Sequence, residues 1–303
     1  MLIYDCFPFF NELELLELRF ATLNNVVDRF VLVESDQSHT GKSKPLFFAE
    51  NKDRFHSYLE KIEHVVVRDL PETEEPWERD RFQRNAVLRG LNKVKNEDLV
   101  LLSDVDEIPR PESVHQLIGD GRCLRLLEEN PIVLTQELYY YYVNCLDPLE
   151  PWYGTIAIRA RNFTMLPDKL RTLRFRLPRL RKGGWHFTYL GGIEKIIEKL
   201  HAKAEQDINS KENNDPSVLR CNLETGRSLI DSPVRHQFVF LNPEQSLPTI
   251  VQDWLRLYPA HVKIKSEHEW KTKPESMDGF LSNLSQWEWF KWRQRLNQSM
   301  GWD

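Results

Sequence analysis

Between Leu99 and Pro111 the chain reads LVLLSDVDEIPRP: four apolar residues, then three carboxylates, Asp104, Asp106 and Glu107, within four positions. On an extended backbone, residues two apart project to the same side. Asp104 and Asp106 can therefore converge on one divalent cation, directly or through water. Hard cations such as Mn²⁺ and Mg²⁺ take oxygen ligands and bridge protein carboxylates to substrate phosphates. Transfer from a nucleotide-sugar calls for this arrangement, because negative charge grows on the diphosphate as the sugar departs. A plainer reading of the same residues is an Asp-rich turn that caps the following helix. Either way, three like charges this close require positive charge among them.

A second stretch with chemical potential is GGWHFTYLGGIEKI, residues 183–196. Its glycine pairs allow a tight turn or a close backbone approach, and His186, beside Trp185, offers an imidazole to a metal. Glu194 falls in the first turn of a helix marked by Ile193, Ile196, Ile197 and Leu200. There it either favours the helix dipole or serves as a general base toward an acceptor hydroxyl. Residues 169–182, KLRTLRFRLPRLRK, hold seven basic residues and no acid. They form a solvated face, or receive a diphosphate, an acidic acceptor or an anionic membrane surface. In WERDRFQRNAV, residues 77–87, Arg81 and Arg84 can reach a nucleotide phosphate or pair with neighbouring acids. Trp287, Trp289, Phe290 and Trp292 near the C-terminus pack, line a sugar shelf or meet a membrane interface.

Elements that could position these residues follow from the hydrophobic pattern. Strands are expected at Leu2–Tyr4 (broken by Pro8), Phe30–Val33, His64–Val67 and Leu99–Leu102. Helical faces are marked by Leu13, Leu16, Phe20 and Leu23, near 51–61, and by Phe82, Ala86, Gly90 and Val94. Strand–helix alternation is the pattern of an α/β domain around a parallel sheet, where ligands bind beyond the carboxyl ends of the strands. Asp5, Glu34, Asp104 and Asp106 are all expected at such ends, on one rim. Beyond them, Ile132–Val143 and Thr155–Ile158 read as strands, Ile250, Val251, Trp254 and Leu255 as a helix face, and 205–216 as an exposed loop. Divisions are expected near 110 and 245, giving a nucleotide-sugar half (1–110), an acceptor half (111–245) and a helical extension (246–303).

Composition narrows the class of function. The 303 residues carry 41 basic and 46 acidic side chains, a net charge of −5, which argues against a general nucleic-acid binder. Four scattered cysteines form no CxxC pair and suggest neither a zinc site nor a disulfide framework. No signal segment and no run of about 18 apolar residues is present. A cytoplasmic protein is expected, and the sequons at Asn162, Asn283 and Asn297 are then chance matches.

IYDCFPFFNELELLELR (3–19), VVDRFVLVES (26–35), TGKSKPL (40–46), SDVDEIP (103–109) and GGWHF followed by GGIE, taken in order, resemble glycosyltransferase family 17. That resemblance implies a GT-A type α/β fold with a mixed, mostly parallel central sheet flanked by helices. It implies inverting transfer of N-acetylglucosamine from UDP-GlcNAc to a glycan hydroxyl, assisted by Mn²⁺ or Mg²⁺. It matches Asp104 and Asp106 to the family's DxD at the metal, His186, a further metal ligand, to the histidine of its Trp-His pair, and Glu194 to the acid that follows. Among the carboxylates Glu194 is then the candidate base, with Glu137 in reserve. Glu34 is the candidate for the ribose hydroxyls, and Arg84, Asp104 and Trp185 for the nucleotide-sugar. Where bacterial relatives show a Ser-His pair, this chain reads Lys203-Ala204-Glu205. With no anchor expected, the acceptor is read as a bacterial surface-polysaccharide or lipid-linked oligosaccharide precursor, with peripheral membrane contact through 169–182. Competing classes are a metal-dependent nucleotidyltransferase or phosphohydrolase, and a non-catalytic carbohydrate-binding protein.

Overall fold

The computed structural model describes residues 1–148, 151–229 and 237–271. The chain forms two compact units, one of residues 1–136 and 152–186, the other of 137–151 and 187 onward. In chain order the elements are β1 (Ile3–Phe9), α1 (Leu13–Leu23), β2 (Arg29–Ser35), α2 (Phe47–Glu50), β3 (Ile62–Val67), α3 (Pro76–Asn85), β4 (Leu99–Leu102), β5 (Glu107–Pro109), α4 (Pro111–Gly119), α5 (Gly121–Glu129), β6 (Ile132–Tyr140), β7 (Cys145–Leu146), β8 (Trp152–Arg159), α6 (Pro167–Thr172) and β9 (Arg179–Thr188). The units part inside β6 and inside β9, whereas the sequence placed its divisions at 110 and 245.

Within the first unit the strand order is β6-β8-β4-β1-β2-β3. β1, β2, β3 and β4 are mutually parallel, and β8 lies antiparallel to both β4 and β6. The parallel strands are apolar runs because both faces are covered. On one face Phe20 of α1 meets the rings of Phe7, Phe30 and Phe55. On the other, Cys6, Val31, Val33, Val100 and Leu102 pack with Ala86, Val87, Ile156 and Leu170. Gly90 is required there, since a Cβ would fall 2.4 Å from a Val31 methyl.

Three local expectations are revised. Pro8 does not break β1, which runs on to Phe9: the β1–β4 ladder ends at Cys6, so a missing N–H on that side of Pro8 loses no ladder bond. Asp5 therefore lies inside the strand, fully buried, and is not on the rim. The segment 52–61 is a 3₁₀ stretch interrupted at Phe55, and α3 gives way to a 3₁₀ turn over Ala86–Gly90.

In the second unit, Tyr139 at the end of β6 pairs with Leu146 of β7, and β7 pairs with β10 (Val239–Phe240). Tyr141, at φ +66°, ends the expected strand early. Helices α7 (Gly192–Ala202), α8 (Pro216–Thr225), α9 (Pro243–Ser246) and α10 (Thr249–Leu257) follow. α7 buries Ile196 and Leu200, and α10 buries Val251, Trp254 and Leu255. The aromatic tail at 287–292, with Asn283 and Asn297, lies outside the described residues.

Candidate active site

The positive charge that the acidic stretch demands comes from arginines. Asp104 Oδ1 accepts from Arg84 Nη1 at 2.6 Å, and its Oδ2 accepts from Arg171 Nη2 at 2.5 Å. Arg84 stands in the last turn of α3, where it also pairs with Asp80 one turn earlier at 3.2 Å. Arg171 comes from α6 and donates to both oxygens of the fully buried Glu107, at 3.1 and 3.2 Å. Behind it, Arg174 lies 3.9 Å from Glu107, its guanidinium over the Trp152 ring. Glu107 also accepts from Trp152 Nε1 at 2.6 Å and from the Asp104 amide at 2.9 Å. Glu107 is thus the internal anchor of the turn, and Asp104 its outer face.

Electrostatics follow from that arrangement. Burial disfavours the Asp104 carboxylate, yet Arg171 and Arg84 outweigh it and hold the group well below the usual carboxylate range. Burial likewise opposes the charge on Arg84 and Arg171, but Asp104 in both cases overturns it and raises their affinity for the proton. Arg174 shows the reverse: burial, reinforced by Arg171, pushes its guanidinium well below its ordinary value.

β5 pairs antiparallel with β9, placing Glu107 opposite His186 and Ile108 opposite Trp185. This ladder brings His186 Nε2 to 3.4 Å from Asp106 Oδ1, with both side chains about nine-tenths buried. His186 Nδ1 is buried and has no hydrogen-bond partner, and the ring lies 4.7 Å from that of Trp152. Gly184 permits the ladder: a Cβ there would stand 2.2 Å from the Ile108 carbonyl oxygen. The first glycine pair thus serves strand approach. Gly191 and Gly192 make a turn into α7 with φ of +97° and +84°.

Two predicted binding residues have other work. Glu34 is fully buried and accepts from the Phe48 amide at 2.7 Å, the Ala49 amide at 3.3 Å and His64 Nε2 at 3.0 Å. It caps the start of α2, and its oxygens bond to scaffold groups in this arrangement. Trp185 is buried, with Arg110 over its ring at 4.4 Å.

Glu194 and Glu137 belong to the second unit. Glu194 is exposed in the first turn of α7. Glu137 is half-buried and accepts from the Tyr139 hydroxyl at 3.0 Å. The same unit holds a half-buried Lys203 that donates to Tyr189 Oη and Glu205, each at 2.6 Å. Lys203 and Glu205 thus form an ion pair.

Among the described residues no three His, Cys, Asp or Glu side chains gather as a metal cage. Asp104 is a poor ligand in this arrangement, with both oxygens held by arginine. Asp106 with His186 is a different donor set: a carboxylate beside an imidazole whose buried Nδ1 is unsatisfied. It fits a cation that takes one or two protein ligands and fills its shell from substrate phosphates.

Sequence reasoning missed Arg19, Arg171 and Arg174 as parts of this cluster. Arg19 had a readable signal: it follows Leu16 by one helical turn and precedes Leu23 by another, on the apolar side of α1. A charge at such a position needs a buried partner.

Comparison with known proteins places the chain in a family of carbohydrate enzymes. A family model described as "Glycosyltransferase family 17" matches residues 2–244. Two relatives are each named β-1,4-mannosyl-glycoprotein 4-β-N-acetylglucosaminyltransferase. That of Homo sapiens is 30% identical and that of Rattus norvegicus 25%, over 71% of this chain and 46% of theirs. The chain spans about half the length of the curated relatives it matches. Among solved structures, a 2-C-methyl-D-erythritol 4-phosphate cytidylyltransferase from Francisella tularensis aligns over 60% of this chain and 90% of its own, at 10% identity and a TM-score of 0.33. A likeness that slight adds nothing to the assignment. No helix among the described residues is long and apolar enough to cross a membrane.

Proposed function

The chain belongs to glycosyltransferase family 17, and from that premise we propose that it moves N-acetylglucosamine from UDP-GlcNAc, with inversion, to a hydroxyl of a glycan acceptor. The fold is then of GT-A type, with the first unit as its nucleotide-sugar half. The donor sugar rests on the names of the relatives. In this proposal the acceptor class is a bacterial surface-polysaccharide or lipid-linked oligosaccharide precursor, and the compartment is the cytoplasm. The observation that carries the reading is the end of β4, where Asp106 faces His186 beside a ring of arginines.

In this mechanism Asp106 and His186 would hold Mn²⁺ or Mg²⁺, which neutralises charge on the departing diphosphate when bound. Arg84 and Arg171 stand beside that position with charges that suit phosphate oxygens. Asp104 keeps both guanidinium groups oriented. Glu194, with Glu137 in reserve, is the carboxylate assigned to take the proton from the acceptor hydroxyl, which attacks the anomeric carbon from the face opposite UDP. In the segment 169–182, Arg171 and Arg174 are turned inward to Glu107. That leaves Lys169, Arg176, Arg179, Arg181 and Lys182 exposed for an anionic membrane surface.

UDP release from a panel of UDP-sugars, with Mn²⁺, Mg²⁺ or EDTA, tests the proposal on the parent protein and Asp106→Asn, with donor binding read in the same samples. Cation-dependent release from UDP-GlcNAc that is lost in Asp106→Asn supports it. Absence of binding by every UDP-sugar with any cation overturns it, and nucleotide transfer or phosphate release would favour the competing enzyme classes.

A further inference from the structure

Beneath the acidic turn lies a single guanidinium whose donors are fully engaged. Arg19 projects from α1 and is fully buried with Asp5 of β1. Its Nε and Nη2 grip the two Asp5 oxygens at 2.7 and 2.6 Å, and Nη2 also donates to Ser103 Oγ at 2.6 Å. Nη1 faces three backbone carbonyls, those of Asp104 at 3.0 Å, Val105 at 3.1 Å and Glu107 at 2.9 Å. One face of the group rests on the Phe7 ring, 4.3 Å away.

Those carbonyls belong to the peptide planes 104–105, 105–106 and 107–108. Fixing the first two sets the backbone on both sides of Val105, and with it the directions in which the Asp104 and Asp106 side chains leave the chain. Asp5 in turn fixes the guanidinium, so the strand dictates the turn through one side chain. A buried arginine is costly unless every donor is met, and here the partners that meet them are concentrated in the acidic turn.

We propose that Arg19 is a positioning residue of the transferase site: from inside α1, it holds the turn 103–107 in the conformation that sets Asp104 against Arg84 and Arg171 and Asp106 against His186. This rests on the functional reading above. A lysine keeps the charge but has no planar fork, and cannot serve Asp5 and three carbonyls at once. Misplacement of a reacting group by about 1 Å costs on the order of 100-fold in rate.

The test compares Arg19→Lys with the parent and with Arg159→Lys. Arg159 is a buried arginine bonded to the Glu97 carbonyl at the opposite end of β4, away from the turn. Two quantities are measured: UDP release per folded molecule, and amide hydrogen exchange at Asp104 and Glu107, whose N–H groups bond within the turn. Turnover of Arg19→Lys should fall about 100-fold, with exchange accelerated at those two amides while β1 and β2 keep their protection. Arg159→Lys should leave turnover unchanged. Unaltered exchange at 104 and 107, exchange accelerated across the whole sheet, or equal turnover losses in the two variants would overturn the proposal. If Arg19→Lys does not fold, Ser103→Ala removes one contact of the same group, and the same two readings decide. If the parent itself binds no UDP-sugar with any cation, the transferase reading fails; whether or not it binds donor, the exchange comparison still decides whether Arg19 sets the turn.

Discussion

Strands β2 and β4 each carry an apolar run into an acid, and the fold uses the two ends in opposite ways. At the end of β2, Glu34 is held by two backbone amides of α2 and by His64. Amides of a helix start cannot leave without unwinding it, so that carboxylate is part of the frame. At the end of β4, Asp104 is held by two side chains, from 20 residues before and 67 residues after it. Guanidinium groups can exchange one anion for another, and Asp106 is left facing an imidazole. A strand-end carboxylate belongs to the scaffold or to the chemistry according to whether the group that neutralises it can move.

Arg171→Met should break that contrast most severely. It removes the partner shared by Asp104 and Glu107 and leaves buried charge uncompensated, at a cost of about 3–5 kcal/mol in urea unfolding. Because Asp104 titrates below its unfolded value of about 3.9, its contribution is fully present above that pH and is lost as pH falls toward the folded value. The acid-unfolding slope of the parent should flatten in Asp104→Asn. Next in size is Asp106→Asn, which should lower donor turnover by about 10²–10³-fold with the melting temperature unchanged. Gly184→Ala drives a Cβ toward the Ile108 carbonyl. It should cost about 1–3 kcal/mol, with turnover reduced by displacement of β5 from β9. Glu34→Gln should give the smallest effect, about 1–2 kcal/mol of stability, and the same turnover per folded molecule as the parent. Reduced turnover in fully folded Glu34→Gln would erase the distinction between the two strand ends.

The sequence made the β4 end readable because its signal is local: an apolar run, then charges, at Leu99–Glu107. The parallel order of β1 to β4 followed from alternation of apolar runs with helical spacing. What neutralises the charges was not readable there, because Arg171 and Arg174 lie in a basic stretch whose seven members look alike. Two turn inward toward Glu107, and spacing alone does not say which. The partners of Glu34 were unreadable for a related reason, since two of them are backbone amides, which every residue but proline carries. The burial of Trp185 was not readable, because an aromatic beside histidine has the same appearance in a core and on a sugar shelf. Asp5 was placed on the rim because Pro8 was taken as the end of β1, although the ladder on that side had already stopped.

The 67 residues between Asp104 and Arg171 also bear on how the protein is made. A ribosome adding about 5–20 residues per second exposes the acidic turn about 3–13 s before its later counter-ion exists. During that interval β1 to β4 can pair, with Arg19 and Arg84 already present, while Glu107 waits for Arg171 and Trp152. Until residue 171 has been added, Asp104 has Arg84 but not Arg171 as counter-ion, and Glu107 lacks both Arg171 and Arg174.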